Sequence, residues 1–483
     1  MANDIKRERV ERERVEREGS FGSSLIMFLI SIAILGYGII FLGLDAHIPL
    51  CFVTMAAVIY GGGVLKIKLS DLESSIYKSI ADSLGALVII CIIGMLIATW
   101  MAAGTIPYII VLGLKALDPS WFLGFVVVMC GILSSLTGSS WTTIGTIGVA
   151  FMGISIGIGI PEPITAGAII CGSFFGDKQS PVSDYVIFAS GVCKVNIYKH
   201  ARVMLYTSGP AFIISAIAFF IIGLGYNASS IDEAAVMTTI NGLDGVFNFN
   251  AALWIPLIVL VITIVLKLPG FASLFISALA GGVIAFFVQG ASIGDILGNM
   301  MYGFSVESDI FEVTKICNRG GLQGMTYTMT LIMCALAMGG ALDRTGVLVK
   351  IVERLKGMIE KRAGLIISTL ISSTILGFFS GDPYVGGYVP VKAFEYRYNE
   401  LKISRTVLSR TISDAACVQQ PLVPWGISGV YCSQTLGVSV GAYMPYYFMW
   451  FLTPFFTILW AITGKCCPAA TEEELEEAGV LTA

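Results

Sequence analysis

The stretches S-S-L-T-G-S-S-W-T-T (134–143) and F-F-S-G-D-P-Y-V-G-G (378–387) break two long apolar segments, one in each half of the chain. Each stretch places Ser, Thr, Gly or Asp where a membrane-spanning hydrophobic run would finish. Hydrocarbon tolerates a broken backbone and small polar groups only where protein or a water-filled cavity surrounds them. Two such breaks are typical of a secondary transporter whose binding site lies near the bilayer midplane.

The composition is that of a multi-span membrane protein. Of the 483 residues, 56% are hydrophobic and 13% are charged, whereas soluble domains carry roughly 25% charged residues. The apolar runs have the length of helices, which excludes an outer-membrane barrel and makes a lipid bilayer the expected surroundings. The net charge of −4 argues against a nucleic-acid partner. The Cys residues show no metal-site spacing, and no phosphate-binding loop occurs, so no cofactor and no ATP-driven pumping are expected.

Hydrophobic runs predict ten membrane spans in two series of five, and one member of each series is interrupted by polar residues. The first series is 23–44, 48–65, 84–104, 163–192 (interrupted) and 203–225, and the second is 251–266, 272–289, 322–342, 413–436 (interrupted) and 445–463. Between the third and fourth member of each series lies a broken apolar segment, 121–151 or 364–394. We interpret both broken segments as re-entrant hairpins.

The distribution of Lys and Arg predicts the orientation of these spans, because cytoplasmic loops are rich in both residues. Basic clusters occur at the N-terminus and near 66–78, 194–202, 344–362 and 392–410, whereas the connection 226–250 has none and is expected outside. If both broken segments are hairpins, every basic cluster lies on one side and the second half runs inverted. The predicted fold is an all-α polytopic membrane protein with two inverted repeats. Each repeat has about five transmembrane helices plus a re-entrant hairpin, with interrupted helices at the midplane.

This fold predicts five regions along the chain. They are a charged N-terminal tail (1–20), the first repeat (21–225), an extracytoplasmic linker (226–250), the inverted second repeat (251–463) and a C-terminal tail (464–483). Both tails are expected in the cytoplasm. We interpret the alternating charges of the first tail and the run E-E-E-L-E-E of the second as solvated segments without a chemical role.

The first polar tip offers a cluster of hydroxyl groups at membrane depth. Thr137, Ser139, Ser140 and Thr142 surround Gly138. Glycine allows a turn with positive φ, and hydroxyls together with freed carbonyls are hard oxygen donors suited to a small cation. Helix N-termini at such a break can instead hold an anionic group. The structural alternative is hydrogen bonding between packed helices.

The interruption of the fourth span, C-G-S-F-F-G-D-K-Q-S-P-V-S-D-Y (171–185), carries two carboxylates. Pro181 lies between Asp177 and Asp184 and prevents a regular helix, which frees carbonyls beside the hydroxyl of Ser180. A carboxylate in a low dielectric either binds a proton or pairs with a cation, so we predict competition between H⁺ and Na⁺ here. The structural alternative is an ion pair of Asp177 with the lysine that follows it. The predicted Na⁺ ligands are Asp177, Asp184 and Ser139.

The second half contains counterparts of both clusters. At its polar tip, Ser380 and Asp382 flank a glycine, and the alternative to a functional role of Asp382 is capping of the following helix. In the other interrupted span, S-D-A-A-C-V-Q-Q-P-L-V-P-W-G-I-S-G (413–429), the candidate binding residues are Asp414 and Gln420. Asp414 can instead form a surface ion pair with Arg410, four residues earlier.

At these residues the chain resembles the NhaC-type Na⁺/H⁺ antiporters of the ion transporter superfamily. The motifs that carry the resemblance are G-S-F-F-G-D-K-Q-S-P-V-S-D (172–184), S-L-T-G-S-S-W-T-T (135–143), L-S-R-T-I-S-D (408–414), P-L-V-P-W (421–425) and T-L-G-V (435–438). The resemblance spans nearly the whole chain. It implies a carrier of the bacterial cytoplasmic membrane in which Asp177, Ser180 and Asp184 match the ion-site motif.

Some positions depart from the family pattern. Tyr185-Val186 stands where the family usually has two Thr, Ser413 where it often has an acid, and Gly426 where it often has Asn. Fewer oxygen donors favour the alternative that the chain couples Na⁺ or H⁺ to a small organic solute, as family carriers of malate/lactate or amino acids do. The residues that would line a larger solute pocket are Gln419, Gln420 and Trp425.

The sequence therefore predicts an alternating-access antiporter that exchanges Na⁺ for H⁺, with a carrier of a small organic anion or amino acid as the alternative. Na⁺ is expected as the transported or coupling ion, and a homodimer is left open. An ion channel is less favoured, because channels usually build their pore from symmetric subunits and this chain contains its own repeat. An intramembrane enzyme is not expected, because no G-x-G-D element occurs.

Overall fold

A computed structural model describes residues 19–226, 233–266, 268–354 and 359–477. These residues form helices, and the described part of the chain contains no strand beyond two isolated bridges, Phe304 with Arg319 and Ile403 with Ala469. The predicted N-terminal tail lies almost wholly outside the described residues.

The helices follow one another with short connections. In the first half they are α1 (Phe21–Ile39), α2 (His47–Gly63), α3 (Leu69–Asp82), α4 (Leu84–Ala102), α5 (Thr105–Ala116), α6 (Pro119–Thr137), α7 (Ser140–Ile158), α8 (Glu162–Gln179), α9 (Asp184–Val192) and α10 (Ile197–Gly223). In the second half they are α11 (Glu233–Val246), α12 (Ile255–Val265), α13 (Gly270–Gln289), α14 (Ile293–Tyr302), α15 (Phe311–Cys317), α16 (Leu322–Arg344), α17 (Val347–Glu353), α18 (Arg362–Ser380), α19 (Pro383–Glu400), α20 (Arg405–Ile412), α21 (Ile427–Leu436), α22 (Val440–Tyr443), α23 (Met449–Thr463) and α24 (Glu472–Glu477).

Eight of the described helices are long and apolar enough to cross a membrane, and the number is ten if two bent helix pairs each form one span. Every predicted span coincides with a helix or a broken helix. The predicted class, an all-α polytopic membrane protein, is therefore confirmed. Helices α3, α11 and α14 lie in stretches predicted as connections, because each of them alone is too short for a span.

Contacts divide the chain into two compact units. Of the described residues, those up to Leu84, those in Thr330–Ile427 and those from Trp460 form unit 1. Those in Gly85–Met329 and Ser428–Leu459 form unit 2. Each unit contains one of the two polar tips quoted above. The boundaries of the two repeats and the inversion of the second repeat depend on how the helices are oriented in a membrane, and they stay predictions.

Unit 2 is organised around a close contact between α6 and α8. A Cβ atom added to Gly172 would lie 2.3 Å from the carbonyl oxygen of Val127, and one added to Gly176 would lie 2.4 Å from that of Gly131. Small residues allow such approach of backbones where helices pack in a membrane. Both residue numbers rise together along the contact, so α6 and α8 run in the same direction.

The predicted first hairpin is formed by α6 and α7, which meet at Gly138. Gly138 has a φ of 68°, a left-handed conformation that favours glycine. Because α8 begins four residues after α7 ends and runs parallel to α6, α7 must return to the end of the unit where α6 began. A contact between Gly113, just before α6, and Ile154, near the end of α7, agrees with this path.

The predicted second hairpin is formed by α18 and α19 in unit 1. Gly381 makes its turn with a φ of 68°, as Gly138 does in the first hairpin. The two arms are antiparallel, since the Ser373 hydroxyl donates to the carbonyl of Gly386 and the Tyr398 hydroxyl donates to Thr369 Oγ1 at 3.2 Å. Both broken apolar segments are therefore helical hairpins with a glycine at the turn.

The acidic segment near the C-terminus is predicted to be a solvated tail. Most of its Glu side chains are exposed, but the segment is docked on the start of α20. Arg405 is 2% exposed, and it donates to a carboxylate oxygen of Glu477 at 2.9 Å and to the carbonyl of Glu474 at 3.1 Å. Ser404 donates to Glu474 Oε1 at 3.0 Å, and Leu475 is buried. A buried guanidinium requires such partners, and they lie about 70 residues away in the sequence.

This docking predicts that Arg405→Ala releases α24. Hydrogen bonds to a charged group contribute about 1.5–3 kcal/mol, so we expect amide hydrogen exchange in α24 to rise at least about tenfold. Hydrogen exchange with mass spectrometry would measure it. Arg397→Ala is the control, because Arg397 bonds to Glu400 and to the carbonyls of Ile359 and Glu360, none of which belongs to α24. Equal exchange in wild type and Arg405→Ala would show that Arg405 does not hold the segment.

Candidate functional site

The turn of the first hairpin meets the break between α8 and α9. A Cβ atom added to Gly138 would lie 2.5 Å from Val182 Cγ2 and 3.2 Å from Ser180 Oγ. The helix breaks here because Pro181 has no amide hydrogen and clashes with the preceding turn. Two irregular stretches that are about 40 residues apart in the sequence are thus in direct contact.

The carboxylate of Asp177 lies at this junction. Oδ2 accepts hydrogen bonds from the backbone nitrogen of Ser140 at 3.2 Å and from the Ser140 hydroxyl at 2.6 Å. Oδ1 accepts one from the Ser183 hydroxyl at 2.5 Å. Ser140 is the first residue of α7, so the positive end of that helix faces the carboxylate. Asp177 itself is half-buried in the last turn of α8.

Two polar side chains beside Asp177 have unused hydrogen-bonding capacity. Ser180 is 2% exposed, and its hydroxyl has no hydrogen-bond partner among the described residues. The amide nitrogen of Gln179 also has none there. Buried polar groups are normally hydrogen-bonded, so the unsatisfied Ser180 hydroxyl is available to bind a ligand. Oxygen atoms of Asp177, Ser140, Ser180 and Ser183 are the hard donors that a small cation prefers.

The other predicted hydroxyls of the tip stabilise the turn itself. Ser139 caps α7, since its Oγ accepts from the nitrogen of Thr142 at 3.2 Å and from the Thr142 hydroxyl at 3.1 Å. Thr137 Oγ1 donates to the carbonyl of Ser139 at 3.3 Å. Their hydrogen bonds stay within the hairpin, and a role of Ser139 as a Na⁺ ligand stays a prediction.

The structure places Asp184 apart from this hydrogen-bond network. Asp184 is the first residue of α9 and is exposed, and it has no hydrogen-bond partner among the described residues. Its carboxylate is nevertheless close enough to repel that of Asp177. The chain changes direction at Pro181, so the seven-residue spacing does not bring both acids to the same point. Lys178, the lysine of the structural alternative, is buried.

Two residues that sequence reasoning missed hold the tip in place. The Tyr431 hydroxyl donates to the carbonyl of Trp141 at 2.7 Å, and the two rings are stacked with their centroids 4.9 Å apart. Trp141 Nε1 donates to the Ser428 hydroxyl at 3.2 Å. Both partners belong to unit 2. Nothing in the local sequence pairs them with a segment almost 300 residues earlier.

Unit 1 shows the same arrangement around Gly381. The nitrogen of Ile427 donates to the carbonyl of Gly381 at 3.3 Å, and Trp425 Nε1 donates to the carbonyl of Phe378 at 3.1 Å. The predicted interruption of this span is present as a π-helical turn, Ser413–Cys417, followed by a 3₁₀ turn, Gln420–Leu422. The second tip therefore touches the second broken helix, as the first tip does in unit 2.

The predicted residues of unit 1 have mixed surroundings. Asp382 caps α19, accepting from the nitrogen of Tyr384 at 2.7 Å, and Ser380 bonds to the Asp382 backbone. The alternative of a surface pair between Asp414 and Arg410 is wrong in its location, because both side chains are completely buried. Packing of the π-helical turn against the hairpin causes this burial. Gln420 begins the 3₁₀ turn.

Comparison with known proteins finds transporters across almost the full length. Residues 172–465 match the Na⁺/H⁺ antiporter family. The Na⁺/H⁺ antiporter NhaC of Alkalihalophilus pseudofirmus is 36% identical, over 92% of this chain and 96% of that protein. The malate-2H⁺/Na⁺-lactate antiporter of Bacillus subtilis is 35% identical over 88% and 91%. The arginine/ornithine antiporter ArcD of Halobacterium salinarum is 33% identical over 95% of each.

Proposed function

The chain belongs to the Na⁺/H⁺ antiporter family, and on that premise we propose that it exchanges Na⁺ for H⁺ across a membrane by alternating access. In this proposal the two cations compete for the carboxylate of Asp177. The carboxylate binds a proton in one half of the cycle and Na⁺ in the other, so the protein cannot carry the two cations in the same step.

The position of Asp177 is the observation that supports this proposal most strongly. A carboxylate inside a membrane protein is costly unless it is paired, protonated or bound to a cation. The hydroxyls of Ser140 and Ser183 donate hydrogen bonds to it, and their oxygen atoms can turn toward a cation instead. The unsatisfied hydroxyl of Ser180 adds a further oxygen donor. Asp184 and Ser139 complete the proposed Na⁺ ligands.

The hairpin tip is the proposed moving element. Ser140 belongs to the first turn of α7, so a displacement of the tip changes the hydrogen bonds to Asp177 directly. In unit 1, Ser380, Asp382, Asp414 and Gln420 are proposed to act in the corresponding way at the second tip. Discontinuous helices are the usual ion sites of transporters with this plan.

The protein is a multi-pass membrane protein, and we propose that it resides in the bacterial cytoplasmic membrane with both termini in the cytoplasm. The Lys and Arg clusters of the predicted cytoplasmic loops support this orientation. The homodimer that the sequence leaves open is not part of this proposal.

Coupled transport of a small organic solute is the second candidate. Relatives named for malate/lactate and for arginine/ornithine antiport are 35% and 33% identical to this chain, and two relatives named Na⁺/H⁺ antiporter NhaC are 36% and 32% identical. The departures at Tyr185, Ser413 and Gly426 remove oxygen donors from the family pattern, which favours this candidate too.

A transport assay on purified protein in proteoliposomes with a trapped pH-sensitive dye would distinguish Na⁺/H⁺ exchange from coupled transport of an organic solute. We expect an outward Na⁺ gradient to acidify the lumen, because Na⁺ leaving the vesicle is exchanged for entering H⁺. Saturable counterflow of labelled malate, lactate or arginine in the absence of that signal would reject Na⁺/H⁺ exchange in favour of the second candidate. Protein-free vesicles control for passive leakage.

A further inference from the structure

A cluster with excess positive charge lies at one end of unit 2, apart from Asp177. Glu162 in the first turn of α8 forms an ion pair with Lys315 in the last turn of α15. Arg319, four residues after Lys315, adds a second positive charge close to the same carboxylate. Two cations thus face one anion, and the three side chains carry a net charge of +1.

The guanidinium group of Arg319 has hydrogen-bond donors that no described residue uses. Its Nε donates to the carbonyl of Lys315 at 3.4 Å. Its two terminal nitrogens have no hydrogen-bond partner in the described ranges, and the side chain is half-buried. Burial lowers the pKa of Arg319, while the nearby Glu162 opposes that effect. Guanidinium donors that the described residues leave free can bind an anionic ligand.

The backbone that carries Arg319 is fixed by two glycines. Gly320 and Gly321 have φ values of 85° and 82°, which favour glycine. The nitrogen of Gly321 donates to the carbonyl of Gly94 in α4 at 2.7 Å. A Cβ atom on Gly320 would lie 2.6 Å from the nitrogen of Ala98, and one on Gly321 would lie 2.2 Å from that of Gly303. These contacts fix the backbone next to Arg319 before any ligand binds. Less conformational entropy is therefore lost on binding.

We propose that Arg319 binds the carboxylate of a small organic anion or amino acid. The planar guanidinium presents paired N–H groups that match the two oxygens of a carboxylate, and a single carboxylate would neutralise the cluster. This site goes beyond the exchange of Na⁺ for H⁺ at Asp177. The Arg319 site rests on the proposed transport function in one respect, because the anion that it binds would be a transported solute.

The site lies at the end of unit 2 where α11 and α15 meet. Gly242 of α11 contacts Ile310 and Val313, the latter in α15. Helix α11 belongs to the connection that the charge distribution places outside the cytoplasm. A solute in the external medium would therefore meet Arg319 before it reaches the hairpin tip.

Binding of radiolabelled L-malate, L-lactate and L-arginine to the purified full chain tests the proposal. We expect the wild type to bind at least one of these probes. In Arg319→Gln the affinity for that probe should fall about ten- to a hundredfold, and Arg319→Lys should lie between the two. Arg362→Gln is the matched control in unit 1, since Arg362 also donates from Nε to a backbone carbonyl, and it should bind as wild type.

Absence of binding of all three probes to the wild type, or wild-type affinity in Arg319→Gln, would overturn the proposal. If Arg319→Gln does not fold, phenylglyoxal modification of arginine in the wild type tests the site instead. A probe bound at Arg319 should protect this residue from modification, and a probe bound elsewhere should not. The Arg319 site and the proposed cation exchange can be rejected independently of each other. Na⁺-driven proton movement without probe binding removes only the Arg319 site, and probe binding without that movement removes only the proposed cation exchange.

Discussion

Asp177→Asn is expected to lower Na⁺-driven proton movement in proteoliposomes at least about a hundredfold. Asn has nearly the same shape as Asp, so the contact between the hairpin tip and the end of α8 should persist. It carries no negative charge and binds no proton in this pH range, so neither cation is attracted. The initial rate of the pH change after a Na⁺ pulse measures the loss.

Asp118→Asn is the control for that experiment. Asp118 caps α6 in the same unit and accepts from the nitrogen of Ser120 at 2.9 Å, and Asn caps helices as well as Asp. We expect this variant to transport as wild type. The transport rate of Asp184→Asn should lie between those of Asp177→Asn and Asp118→Asn, because Asp184 is exposed and makes no hydrogen bond among the described residues. Exchange at the wild-type rate in Asp177→Asn would exclude Asp177 from the cation site.

Gly176→Ala is expected to cause a large loss of stability. The added methyl carbon would lie 2.4 Å from the carbonyl oxygen of Gly131 and 2.5 Å from the nitrogen of Ser135. These are backbone atoms of α6 and cannot rotate away, so α6 and α8 must separate. Overpacking of a well-packed core costs about 1–3 kcal/mol. A lower midpoint in a thermal-shift or detergent-stability assay would show the effect, together with reduced transport.

Gly209→Ala is the matched control. Gly209 lies inside α10, and an added Cβ would meet no atom within 4 Å. Alanine is a better helix former than glycine by about 1 kcal/mol, so this variant should be as stable as wild type or slightly more stable. Equal stability of Gly176→Ala and Gly209→Ala would contradict the close contact between α6 and α8.

The sequence predicts the parts of this fold that depend on local composition. Long apolar runs identify the spans, and Gly138, Gly381 and Pro181 identify the places where helices turn or break. The contact between the first tip and Asp177 follows from these two breaks, although the hydrogen bonds of Ser140 and Ser183 require the coordinates.

Features that depend on distant partners are not visible in the sequence. The acidic run 472–477 looks like a solvated tail until Arg405 is seen to be buried beneath it. Asp414 looks like one half of a surface pair, but packing buries it completely. In each case tertiary contacts, and not local preference, determine the outcome.

Binding of radioactive sodium to the purified full chain, measured over a range of pH, tests the central claim most directly. If Na⁺ and H⁺ compete for Asp177, the affinity for Na⁺ must fall as the pH is lowered, because the protonated carboxyl no longer attracts a cation. The fall should approach about tenfold per pH unit once most of the protein is protonated. Asp177→Asn should abolish the binding. Na⁺ binding that does not change with pH, or that survives in Asp177→Asn, would contradict the account.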